Sequence, residues 1–230
     1  MNGEILLASG SPRRRELLRG MGWNFRVVVP EADETILPEE SPAELCVRLS
    51  GLKARAVRDM ETNMEMNMET NKKQSRKNFL VIAADTVVVV DGSILGKPLD
   101  DDDALRMLRL LQGRSHEVLT GVSVLWGERS RSGFERTLVT FRPLSEAEMR
   151  AYAATGEGRD KAGAYAIQGR GSLLVSSIEG DYFNVVGLPL CRLGRMLEEL
   201  GMDLIGQWSG NGMSQMEEKM RTVKAWERCS

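Results

Sequence analysis

Four short stretches carry residues whose types and spacing suggest chemistry on a phosphorylated ligand. The first is Ser9-Gly10-Ser11-Pro12-Arg13-Arg14-Arg15, where an apolar strand turns into a helix. Arginines oppose the helix dipole at an N-terminus, yet that terminus also presents free N–H groups to anions. Cations beside those donors suit a phosphate chain, to which a guanidinium adds bidentate hydrogen bonds. The plainer alternative is a solvated basic turn. The second is Asp85-Thr86 inside the apolar run Leu80 to Val90. A carboxylate in a buried strand is unfavourable unless it binds a metal, pairs with a cation or works as a base; a hydrogen-bonded aspartate at a strand bend is the alternative. The third, Gly92 to Pro98, resembles a Walker A loop but lacks the fourth spacer residue and the Ser or Thr after Lys97. Lys97 can still reach a phosphate from the end of a hairpin. The fourth is Lys161 to Gly171, whose glycines permit close backbone approach. Its Gln168 offers a donor and an acceptor to a nucleobase edge, against the alternative of an ordinary Gly-rich turn. Glu34 and Lys53 are uninformative taken singly, and His116 reads as structural.

Composition excludes several other classes. Of 230 residues, 31 are basic and 33 acidic, for a net charge of −2, which argues against a general nucleic-acid binder. Three scattered cysteines and a single histidine exclude a Cys/His zinc site and suit a reducing cytosol. Neither a signal-peptide pattern nor an apolar run of about 20 residues is present, so a soluble cytoplasmic protein is expected. The length allows one large domain or two lobes.

These residues must be held by an ordered set of elements. Glu4 to Ser9 reads as a buried strand, Arg13 to Met21 as a helix, and Trp23 to Val29 as a second strand. An acidic loop, Pro30 to Pro38, leads to a capping box at Ser41 and Glu44. Its helix is expected to run to about Met60 with Leu45, Leu49, Leu52 and Ala56 on the buried face. Residues 61–78 contain no Val, Ile, Leu or Phe and are expected to form a flexible low-complexity insertion. Phe79 to Val90 is the strongest strand signal, and Asp91-Gly92 turns it back into Ser93 to Leu95. Asp100 to Leu111 is a helix. Glu117 to Trp126 and Phe134 to Phe141 pair across a polar loop, and Ser145 to Ala154 is a capped helix. Leu173 to Ile178 and Tyr182 to Val186 are expected to form a hairpin about Glu179-Gly180, and Pro189 to Leu200 a last helix. The tail, 205–230, has the pattern of a short amphipathic helix. The pattern predicts an α/β protein: a mixed sheet with helices around it.

Taken together, the motifs resemble the Maf family, septum-formation-inhibitor-like nucleotide pyrophosphatases. Leu7-Ala-Ser-Gly-Ser-Pro-Arg-Arg, Ala84-Asp-Thr, Gly96-Lys-Pro, Gly113-Arg-Ser-His-Glu-Val, Asp160-Lys-Ala-Gly-Ala-Tyr-Ala-Ile-Gln-Gly and Asn184-Val-Val-Gly-Leu-Pro occur in that family's order. The resemblance spans about residues 4–200 and implies one domain over 1–204. It also implies the fold of inosine-triphosphate pyrophosphatases, a long mixed sheet with two lobes around a cleft. The implied reaction is hydrolysis of dTTP and UTP to the monophosphate and pyrophosphate with a divalent cation, Mg2+ or Mn2+. Arg13, Thr86 and Gln168 match the family's specificity positions, and Asp85 its proton acceptor. On this reading Ser9, Arg13, Arg14, Lys53 and Lys97 meet the phosphates, while Glu34 and Asp85 hold the cation. The resemblance further implies a homodimer, with neither stable nucleic-acid binding nor membrane attachment. Two alternatives stay open: a modified or purine nucleotide as substrate, and a nucleotide-binding regulator of cell division.

Overall fold

A computed structural model describes residues 4–68 and 79–202. Its elements are β1 (Ile5–Leu7), α1 (Pro12–Gly20), β2 (Phe25–Val27), α2 (Pro42–Met68), β3 (Leu80–Val90), β4 (Ser93–Leu95), α3 (Asp101–Leu111), β5 (Ser115–Trp126), β6 (Arg129–Phe141), α4 (Glu146–Ala154), β7 (Val175–Glu179), α5 (Tyr182–Val186) and α6 (Leu190–Glu199). Seven strands form one sheet in the order β2-β1-β3-β5-β6-β7, with β4 beside β3. β1 lies parallel to β2 and β3, and the other pairs are antiparallel. This is the mixed α/β sheet that the sequence predicts.

The side-chain period of two in β3 divides the core. Val81, Ala83, Val87 and Val89 face α2, meeting Leu45, Cys46, Leu49, Ala54 and Val57. Ile82 and Ala84 face the other way, toward Leu18 of α1 and Leu193 and Leu197 of α6. Asp85 and Thr86 are adjacent in sequence and so emerge on opposite faces. On one edge, residues 80–82 of β3 pair with β1 and residues 88–90 with β4. Between them, Ala83 to Val87 has no strand partner on that edge among the described residues.

Several elements differ from the sequence reading. The buried stripe of α2 is rotated toward Cys46, Ser50, Ala54 and Val57, because small side chains let the helix lie close to the sheet. The helix also continues to Met68. Glu61, expected in a flexible insertion, is buried and receives both guanidinium nitrogens of Arg26 at 2.7 Å. Charge pairing there orders a turn that has few apolar residues. Residues 69–78 and the tail lie outside the described residues. The polar stretch before Phe134 is strand, since its backbone pairs fully with β5 while its side chains are mostly exposed. Tyr182 to Val186 is helix, not the return strand of a hairpin. Asp181 caps it by accepting from the Phe183 N–H at 2.7 Å, Gly187 closes it at φ 119°, and β7 pairs with β6 instead. The capping boxes at Ser41/Glu44 and Ser145/Glu148 form as expected. No helix among the described residues is long and apolar enough to cross a membrane.

His116 is a core residue, as its sequence context suggests. It is 1% exposed, its Nε2 lies 2.7 Å from the Tyr165 hydroxyl, and Phe141 and Tyr165 meet its ring edge-on. Burial pushes its pKa down to about 4. The unfolded chain takes up that proton near pH 6.5, so from there to about 4 the unfolded state binds more protons and stability falls with pH. The contribution lost over this window is up to ~3 kcal/mol. Melting temperatures measured from pH 7 to 4 are expected to fall less steeply in His116→Gln, whose amide still pairs with Tyr165. Equal slopes for the two proteins would disprove it.

Candidate active site

Of the predicted site residues, Arg14 and Lys53 contact the segment Ala84 to Thr86 directly, Ser9 and Glu34 meet it through them, and Arg13 pairs with Gln168. Arg14, half-buried on the first turn of α1, reaches four protein acceptors. Its Nη1 donates to the Ala84 carbonyl (2.8 Å) and Ser9 Oγ (3.1 Å), Nη2 to Thr86 Oγ1 (3.0 Å), and Nε to the Gly187 carbonyl (2.7 Å). A guanidinium has five N–H donors, so most of them are engaged within the protein. Arg14 thus ties the first loop to β3 and the end of α5 and keeps one N–H for the phosphate that the family resemblance assigns to it. Burial lowers its pKa, and the charges of Asp85 and Glu34 oppose that shift.

The strand-to-helix turn is organised around Ser9. Its buried hydroxyl oxygen accepts from Arg14 and from the Ser11 N–H at 3.2 Å, leaving its proton to be donated elsewhere. Ser11 occupies the N-cap position with Pro12 following, but its side chain makes no capping bond, and the first turn holds no acid. The free N–H groups at the start of α1 therefore keep their capacity for an anion.

Thr86 is oriented by a chain of hydroxyls. Thr120 Oγ1 donates to the Asn184 carbonyl (2.9 Å) and lies 3.0 Å from Thr86 Oγ1. Thr120 has a single hydroxyl proton, so Thr86 is the donor in that contact and an acceptor from Arg14. Asn184, wholly buried, is itself fixed by donating to the Val118 carbonyl and Thr137 Oγ1, both at 2.9 Å.

On the opposite face, Lys53 of α2 bridges two carboxylates. Its ammonium lies 2.6 Å from Asp85 Oδ1 and 2.7 Å from Glu34 Oε1. Lys53 and Asp85 are each 13% exposed and Glu34 is 55% exposed, so the pair is sheltered and the third member lies at the rim. The Lys53 hydrogen bond is the main cause holding the Glu34 carboxyl below its usual range, with Lys97 and Arg14 adding to it electrostatically. Lys97 is exposed. The loop that carries Glu34 is anchored by Arg48, which donates to the Thr35 carbonyl (2.8 Å) and to both oxygens of Glu40 (2.5 and 2.7 Å). Nothing in the sequence marks Arg48 for this.

Gly121 explains how α2 comes close enough. It stands opposite Asp85 in the β3–β5 ladder, and a Cβ there would lie 2.1 Å from the Cys46 carbonyl oxygen. Cys46 and Lys53 occupy the same face of α2, two turns apart. A glycine amid the β-branched residues of β5 is the signal that sequence analysis passed over. The Cys46 thiol is pushed up to about 12, first by burial and then by the Asp85 charge, which leaves it inert.

Gln168 is oriented by Arg13. Arg13 Nη1 donates to its Oε1 at 3.1 Å. A guanidinium only donates, so the amide oxygen must face Arg13 and Nε2 is turned away from it. The segment before Gln168 is fastened to the β4 end: the Gly163 N–H donates to the Gly96 carbonyl at 3.0 Å. Gly163 has φ 73° and Ala164 φ 58°, an uncommon backbone for alanine. Among the described residues, no cluster of three or more Asp, Glu, His or Cys side chains is placed to hold a metal ion.

The described contacts offer free helix N–H groups, a lysine shared by two carboxylates, and an oriented amide. The family model described as Maf-like protein matches residues 4–200. A protein named dTTP/UTP pyrophosphatase from Symbiobacterium thermophilum is 47% identical over 207 residues, covering 90% of this chain and 99% of that protein. Proteins of the same name from Bacillus cereus and Bacillus mycoides are 43% and 44% identical over 201 residues, 87% of this chain and 97% of theirs. With the family model matching residues 4–200 and these relatives 43–47% identical over 87–90% of the chain, the chain belongs to the Maf-like family.

Proposed function

We propose that the protein hydrolyses dTTP and UTP to the nucleoside monophosphate and pyrophosphate. The observation that carries this reading is the hydrogen bond from Arg13 to Gln168, which fixes the orientation of the amide. With its oxygen turned to Arg13, the amide presents Nε2 as a donor. A donor suits the O4 carbonyl of thymine or uracil and meets the amino group of cytosine or adenine unfavourably. The names of the relatives support the same substrates.

Water attacks the α-phosphorus, the bond to the bridging oxygen breaks, and pyrophosphate leaves. Arg13, Arg14, Lys97, the Ser9 hydroxyl and the α1 N–H groups bind the phosphate oxygens and offset charge as it develops. Asp85 accepts the proton of the attacking water. Two carboxylate oxygens within 2.7 Å of one ammonium nitrogen already share a cation, so Glu34 and Asp85 are the residues that would hold a divalent ion. Such an ion would polarise the phosphate and favour the leaving group. Lys53, held between the two carboxylates, adds positive charge for the phosphates. Few scattered cysteines fit a cytoplasmic setting for this reaction.

Pyrophosphate release from dTTP, UTP, CTP and dATP, with and without Mg2+, tests the reading. Wild-type kcat/KM is expected to favour dTTP and UTP over CTP by about 100-fold or more, and Gln168→Ala to narrow that ratio. A wild-type preference for purines would overturn the substrate assignment.

A further inference from the structure

We infer that Glu157 is the positioning residue for base selection, clamping the turn that carries Gln168. This rests on Gln168 as the residue that meets the base. Gln168 precedes a 3₁₀ turn, Gly169–Leu173. The next two backbone N–H groups with no carbonyl partner in the turn, those of Arg170 and Gly171, each donate to one oxygen of the Glu157 carboxylate, at 3.0 and 2.9 Å. Successive N–H groups after a left-handed residue form a concave anion nest, and Gly169 supplies that residue at φ 68°. Here the nest is filled by a side chain of the protein itself.

The turn is built to close on that side chain. A Cβ at Gly169 would lie 2.3 Å from Glu157 Oε1, and one at Gly171 2.0 Å from the Ala166 carbonyl oxygen. Glu157 follows the end of α4, and Tyr152 of the same helix accepts the Ala166 N–H at 3.1 Å. The Gln168 segment is thus fastened to α4 on both sides, while Arg13 fixes the rotation of the amide. Partial burial works against the Glu157 charge, but the two N–H bonds, Tyr152 and the nearby Arg13 hold its carboxyl below the usual range. None of these contacts touches Lys53, Asp85 or Glu34.

Glu157→Gln keeps the volume but offers one acceptor where two N–H groups need one each, so one donor is left unpaired or the turn shifts. A shift of a fraction of an ångström in the backbone of Gln168 misplaces Nε2 against O4. The expected result is a fall of about tenfold in the kcat/KM ratio of dTTP to CTP, arising in KM, with kcat for dTTP and the melting temperature nearly unchanged. Hydrogen exchange followed by mass spectrometry is expected to accelerate in peptides spanning 166–173 and not in those from β3 or α2. The experiment compares wild type, Glu157→Gln and Gln168→Ala on dTTP, UTP, CTP and dATP. A wild-type preference retained by Glu157→Gln overturns the inference, as does an equal fall in kcat on all four nucleotides. If wild type shows no preference for dTTP and UTP, the substrate reading fails. The clamp is then decided by exchange alone, and unchanged protection of 166–173 overturns it. If Glu157→Gln does not fold, Tyr152→Phe removes the acceptor of the Ala166 N–H and the hydroxyl that Glu157 meets, while leaving the Glu157 carboxylate on its two N–H groups. A smaller loss of the same ratio there supports the clamp, and an unchanged ratio overturns it.

Discussion

Asp85→Asn is expected to lower kcat for pyrophosphate release by about 100-fold or more, the usual contribution of a positioned general base. The amide has nearly the volume of the carboxylate and can still accept from Lys53, so the packing of β3 against α2 is retained. What it lacks is the charge and the capacity to take a proton. Asp85 is 13% exposed and 2.6 Å from Lys53, in a strand whose neighbours on that face are apolar. No other carboxylate in contact with Lys53 replaces it, because Glu34 stands at the rim on a separate loop. The measurement pairs steady-state rates with a thermal melt. A folded variant turning over at near wild-type rate would remove Asp85 from the reaction. Loss of rate together with collapse of the fold would show a structural role instead.

Gly121→Ala is expected to be the most damaging change of a single methyl group, destabilising the fold by at least ~3 kcal/mol. The added Cβ would lie 2.1 Å from the Cys46 carbonyl oxygen, 2.2 Å from its carbon and 2.6 Å from the Val47 nitrogen. All three are backbone atoms of α2, so no rotamer change relieves the contact and the helix must lift from the sheet. Lifting it withdraws Lys53 from Asp85 and separates Ser50 Oγ from Ser123 Oγ, now 2.8 Å apart. For a domain of this size the melting temperature should fall by about 6–12 °C. The protein that remains folded should also hydrolyse nucleotide slowly although every site residue is present. A melting temperature within a degree or two of wild type would mean that α2 does not approach β5 as closely as described.

Much of the local structure follows from short-range signals. The capping boxes at Ser41/Glu44 and Ser145/Glu148, the turn at Asp91-Gly92, where both residues have positive φ, and the apolar run of β3 depend on neighbours a few residues away. They form as the sequence predicts. The period of two likewise places Asp85 and Thr86 on opposite faces before any packing is known. Asp85, Arg13 and Gln168 were legible as candidates through motif order, and Glu34 and Lys53 only through the family resemblance, which records chemistry without geometry.

What the sequence could not determine is which of these groups meet, since that depends on the face a helix packs against and the distance at which it does so. Lys53 reaches Asp85 and Glu34 because Gly121 and the small residues Cys46, Ser50 and Ala54 admit α2 to the sheet. Arg14 is turned inward to four protein acceptors while its neighbour Arg13 faces Gln168, a division set by the packing of α1 against β3 and α5. Residues 182–186 carry strand-like side chains yet form a helix, because Asp181, Gly187 and the buried hydrogen bonds of Asn184 outweigh propensity. Glu61 is ordered by Arg26, a partner from β2 that no local window contains. Local propensity thus specified the elements and their order. Close approach between elements, a property of side-chain size at contacts distant in sequence, decided the site.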